Sequence, residues 1–216
     1  MRSILYFSLL SQWRARHNLL GALCFALGGV WCIRFILAYG GLGALPVPVW
    51  HAFFWVIFLF NAFFLAHKLH ALSTEELLAD YLRMSALTLL FTRSLSHFFY
   101  LFIAGLITST SALIFWGGIL HHPMVFLGVL GLCAFGFSLI LSFLTLMLAK
   151  IEADCLILPV LALPTLIPLC LSAFKVSMLS AQANNLQVWP SLGLLLAIVC
   201  MICAIVLLLF PFVWKS

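Results

Sequence analysis

The charges of this chain sit in a few short clusters, and the long stretches between them carry almost none. Ten Lys/Arg and five Asp/Glu are spread over 216 residues, and the first acid is Glu75. The stretches between are apolar and long. An apolar run of about 17–25 residues closes its own backbone hydrogen bonds as a helix and matches a hydrocarbon core roughly 30 Å thick. Six such runs are predicted: Leu19–Ala38, Val47–Ala66, Phe98–Ile119, Met124–Ala149, Cys155–Leu179 and Trp189–Trp214. A water-soluble domain would carry about 25% charged residues. Here charged residues are 7% and hydrophobic ones 66%. The fold class is an all-α integral membrane protein with six transmembrane helices, in one domain over residues 1–216.

The polar links set an orientation. The N-terminal segment, residues 67–97, the link 150–154 and Lys215 hold eight of the ten basic residues and all five acids. The alternate links, near 39–46, 120–123 and 180–188, hold no charged residue. Positive residues stay cytoplasmic, so both termini are predicted inside. Arg34 and Lys175 are the exceptions, each near the outer end of a span and within snorkelling reach of the headgroups. Residues 1–18 mix Ile4, Leu5, Phe7, Leu9, Leu10 and Trp13 with Arg2, Arg14 and Arg16. The mixture predicts a helix lying in the interface, and its apolar part is too short and interrupted for a cleavable signal. A net charge of +5 gathered at one membrane face is a topology signal rather than a nucleic-acid footprint.

Segment 67–97 is the longest polar stretch. Ser73 with Glu76 fits a capping box. Leu77, Leu78, Tyr81, Leu82 and Ala86 recur at helical spacing, which predicts a cytoplasmic amphipathic helix between spans two and three. It reads either as a surface helix covering the bundle or as a docking element for a cytosolic partner.

Two spans carry further patterns. In the fourth, Gly131, Ala134, Ser138, Ser142, Thr145 and Ala149 recur at spacings of 3, 4, 4, 3 and 4. Lipid gives no hydrophobic drive for helices to associate, so close approach of small residues supplies it. The stripe reads as packing within the chain, as a seam between two copies, or as a conduit wall. Ala104, Thr108 and Ser111 make a shorter stripe in the third span. In the fifth, Pro159, Pro164 and Pro168 each remove a backbone donor, which predicts a hinged helix with Thr165 and Ser172 near the freed carbonyls.

Several chemistries lack their residues. No G-x-x-x-x-G-K-[ST] is present, so this chain has no phosphate loop for ATP. No carboxylate falls in a span, which removes the usual proton or sodium relay. No H-E-x-x-H occurs. His121-His122 and the His67/His70 pair are of metal- or haem-ligating type, yet they read more simply as polar residues of links. The seven cysteines fall in or at the ends of apolar runs, so a disulfide framework is not expected, and Cys200-x-x-Cys203 reads as helix packing. No catalytic residue, bound cofactor or metal is assigned. A polar cytoplasmic helix, small-residue seams and no energy source of its own point to a permease subunit powered by a partner.

Over nearly its whole length the chain resembles the CcmB family, haem exporter protein B, the membrane subunit of the cytochrome c maturation ABC transporter. The resemblance is carried by the tail Phe210-Pro211-Phe212-Val213-Trp214-Lys215-Ser216 and by the second-span run Trp50-His51-Ala52-Phe53-Phe54-Trp55. It is carried as well by Pro159, Pro164 and Pro168 in the fifth span, by Arg14, Arg16 and Gly21 at the start of the first, and by Tyr81, Ser85 and Arg93.

The resemblance implies an ABC-2-type permease of a bacterial inner membrane, two copies of which pair with a separate CcmA-like ATPase. It would work with CcmC-, CcmD- and CcmE-like proteins. ATP would be held by the partner, and haem would be cargo of the complex rather than a cofactor of this chain. Glu75, Glu76, Asp80, Tyr81 and Arg83 would form the ATPase contact, charged rim residues around apolar anchors. Two other readings stay open: an ABC-2 permease for a lipid or drug, and a membrane scaffold with no transport cycle.

Overall fold

A computed structural model describes residues 16–41, 45–70, 85–118, 121–151, 155–182 and 186–215. Regular structure among them is entirely helical. The helices are α1 (Arg16–Tyr39), α2 (Val47–His70), α3 (Ala86–Trp116), α4 (Pro123–Lys150), α5 (Leu158–Ser180) and α6 (Val188–Lys215), with a 3₁₀ turn at Cys155–Ile157 before α5. All six are long and apolar enough to cross a membrane. The N-terminal interfacial segment lies outside the described residues, as does the amphipathic helix with Glu75, Glu76, Asp80, Tyr81 and Arg83.

The helices run up and down, and two backbone hydrogen bonds tie the charge-poor links at one end. Leu45 donates its N–H to the Trp116 carbonyl at 3.3 Å, and His122 donates to that of Ser180 at 3.1 Å. At the other end lie the close of α2, the start of α3 and the α4–α5 link. α4 occupies the centre and packs against α2, α3, α5 and α6. It is the most buried of the spans, whereas α1 and α6 present most of their surface outward. Their exposed Trp31, Phe35, Ile36, Leu208 and Phe212 suit contact with lipid.

The third helix differs most from expectation. It begins at Ala86 rather than Phe98 and runs unbroken for 31 residues, about 46 Å at 1.5 Å per residue. Ser85 caps it: its hydroxyl accepts from the Thr88 N–H at 3.3 Å. No Gly or Pro interrupts 86–104, so nothing in the backbone stops the helix. The sequence makes 87–96 an apolar lead-in that carries Arg93 into the span; Thr92, Arg93, Ser94, Ser96 and His97 are all buried inside the bundle as part of the helix itself. Residues 67–70 likewise belong to the end of α2.

Of the three prolines, Pro159 stands in the first turn of α5, where its missing N–H costs nothing, so it starts the helix rather than hinging it. Pro164 and Pro168 are interior. They take the N–H partners from the carbonyls of Val160 and Pro164. The Thr165 hydroxyl donates instead to Ala162, at 2.8 Å.

The small-residue stripe of α4 is covered by the chain's own helices. Ala134, Ser138, Ser142 and Thr145 are buried, and Gly131 is half-buried. The closest helix contacts fall at other glycines. A Cβ on Gly105 would stand 2.8 Å from both Leu130 Cδ1 and Phe58 Cε2, and one on Gly136 2.7 Å from Leu169 Cδ2. On Gly131 it would find only Phe102, at 3.8 Å.

Candidate functional site

Polar side chains buried between apolar helices are the features to explain, because in lipid they mark function more often than stability. They occur at two levels along the seam between α2 and α3.

The outer level is built on Trp50 and His51, from the first turn of α2. Both are almost fully buried, at 3% and 1% exposure. Their rings meet edge to face at 4.8 Å, and Trp50 also packs edge-on against Trp116 of α3 and Phe126 of α4. Neither Trp50 Nε1 nor His51 Nδ1 has a hydrogen-bond partner. Both residues line a small cavity of about 20 Å³, enough for one water molecule. Its other walls are Leu45, Val47, Leu113, Gly118 and Ala181. Gly118 turns the chain with φ +125°, a backbone that side chains rarely adopt.

One turn further in, the seam is filled by rings. Phe54, Phe58, Phe126 and Phe137 are each 2% exposed or less. Phe54 meets Phe126 at 5.3 Å and Phe58 at 6.2 Å, and Phe58 meets Phe137 at 5.6 Å. Gly105 of α3 is what lets Phe58 and Leu130 sit so close. Trp55 turns the other way and donates its indole N–H to Ser177 Oγ of α5 at 2.8 Å.

The inner level is Asn61 and His97. Trp50, Phe54 and Asn61 are four and seven residues apart, so they share the face of α2 that meets α3. Asn61 is 1% exposed, and its amide oxygen and nitrogen both lack a partner. His97 is fully buried, with its ring beside the backbone of Ala62, and neither ring nitrogen completes a hydrogen bond of good geometry. Arg93 is buried one turn before it. On α4, Ser138 and Thr145 of the small-residue stripe turn their hydroxyls back to Phe135 and Ser142 carbonyls, whereas the Ser142 hydroxyl is unpartnered. A buried polar group without a partner costs about 1–3 kcal/mol. A static bundle would be more stable with apolar residues at these positions.

Sequence reasoning passed over this seam. It weighed the histidines of the links, and His121, His122 and His67 are all exposed. Among the described residues no three His, Cys, Asp or Glu gather as a metal site. The signal available was the presence of His51 and Asn61 in an otherwise apolar run; that the His97 ring of α3 lies beside the Ala62 backbone of α2 is a matter of helix register. Of the other candidates, Gly131, Ala134, Ser138 and Ser142 lie together on α4, Pro164 and Pro168 inside α5, and the five proposed docking residues beyond the described segments. Comparison of the chain with family models, with curated proteins and with solved structures finds no match.

Proposed function

We propose that this chain is the membrane-spanning permease subunit of an ATP-binding-cassette transporter of the CcmB type, driven by a separate ATPase and serving cytochrome c maturation. The observation that carries the reading is the partition of charge along the bundle. All five acids fall in two links, between α2 and α3 and between α4 and α5, and both links leave the same end. The opposite end has uncharged links. A bundle with one charged handle and no ATP-binding motif has the form expected of a subunit moved from outside. Its family assignment rests on the motifs quoted above.

On this reading the charged end and both termini face the cytoplasm of a bacterial cell, across its inner membrane. Two copies pair, and CcmC-, CcmD- and CcmE-like proteins complete the assembly. Haem is cargo of the complex, and ATP is bound by the partner. α2 and α3 flank the docking segment directly, so a push on residues 71–84 reaches the polar seam through two continuous helices.

Charge reversal tests the contact. Glu75→Lys with Glu76→Lys should reduce ATPase recovered with the chain on the order of tenfold, as expected when rim charges of a docking surface are made repulsive. Undiminished recovery of the ATPase would remove the docking role from this segment.

A further inference from the structure

We infer that the α2–α3–α4 seam is a closed route for water and small uncharged polar solutes through a single copy of the chain, shut by the four phenylalanine rings. Three observations converge on one line. At the outer end, Trp50 and His51, each with an unpartnered ring nitrogen, line a cavity large enough for one water. In the middle, Phe54, Phe58, Phe126 and Phe137 form a dry, fully buried block. Beyond it, Asn61 buries an amide with neither atom hydrogen-bonded, and His97 buries a ring whose one polar neighbour is the Ala62 backbone. Asn61 lies ten residues from His51, about 15 Å along α2, so the block is a short plug rather than a thick core.

Polar groups on both sides of an apolar constriction are the construction by which pores gate through dewetting. Groups left unsatisfied in the closed form gain water when the rings part, so opening is favoured by the residues that burden the closed state. Phe58 is seated directly against the Gly105 backbone, where a Cβ would stand 2.8 Å from its Cε2. The walls carry no carboxylate, which suits an uncharged solute better than a cation. The inference deepens the transport reading above, but its test requires no ATPase.

The test is glycerol entry into proteoliposomes holding the purified chain. Phe58→Ala with Phe137→Ala should speed entry on the order of tenfold by removing the dry block. Phe60→Ala, a truncation on the exposed face of the same helix, should leave the vesicles tight. A double variant that keeps its helical signal and stays as tight as Phe60→Ala overturns the route. If the double variant does not reconstitute, cysteine accessibility decides. In a chain whose seven native cysteines are replaced, Asn61→Cys and His97→Cys should react over minutes with a small water-soluble thiol reagent, and Phe54→Cys should not. Equal inertness at all three positions overturns it. A leak without an associated ATPase keeps the route and removes the powered-permease reading; a tight plug with an associated ATPase does the reverse.

Discussion

Trp116→Ala should lower the midpoint of thermal unfolding in detergent by about 6–20 °C, taking a loss of about 3–5 kcal/mol and about 2–4 °C per kcal/mol for a chain of this size. Trp116 is fully buried at the end of α3. Its indole N–H donates to the Val30 carbonyl of α1 at 2.9 Å. Its ring packs edge-on against Trp50 and Phe53 of α2, and its own carbonyl accepts from Leu45. One side chain thus ties three helices, while the backbone bond to Leu45 is one that alanine keeps. Lipid replaces part of the transfer energy lost on truncation, so most of the cost is the empty volume and the forfeited contacts. Trp116→Phe separates the terms: it keeps most of the packing and loses the hydrogen bond, for about 1 kcal/mol. Equal midpoints for alanine and wild type would show that this junction does not hold the bundle together.

Gly105→Leu should be nearly as damaging, with a loss of about 3 kcal/mol and a midpoint lower by about 6–12 °C. The first carbon of the new side chain would already stand 2.8 Å from Leu130 and from Phe58. The Leu130 methyl can rotate aside. Phe58 is pinned by Phe54 and Phe137, so α3 must move away from α2 and α4. Gly131→Ala is the contrast, with ordinary contact at 3.8 Å and no expected loss. A midpoint unchanged by leucine at 105 would mean that α3 does not approach α2 as closely as described.

That contrast also shows what was legible in the sequence. Apolar length placed five of the six helices to within a few residues, because in lipid the backbone must close its bonds within the helix. The start of α3 was misplaced by a dozen residues: the apolar lead-in 87–96 is already helix, and Arg93, Ser94, Ser96 and His97 are covered by neighbouring helices. The small-residue stripe of α4 lies inside the bundle, but so does every residue from Gly136 to Ser142, so spacing did not single out a face. It could not say which glycine a neighbour needs, because Gly105 and Gly131 differ only in what faces them. Pro159 and Pro164 are likewise the same residue, separated in role by where the helix begins. The polar seam was hidden for the same reason: Asn61 and His97 are 36 positions apart, and only the packing of α3 on α2 brings the His97 ring beside the backbone of Ala62.

The claim beneath the functional reading is that an outside source of energy moves this bundle. Purification of the chain in mild detergent from membranes that natively hold it, followed by an assay of ATP hydrolysis, tests that most directly. The account predicts a co-purifying ATPase whose turnover falls away with Glu75→Lys and Glu76→Lys. Folded chain recovered with no ATP hydrolysis above that of a mock purification would contradict it.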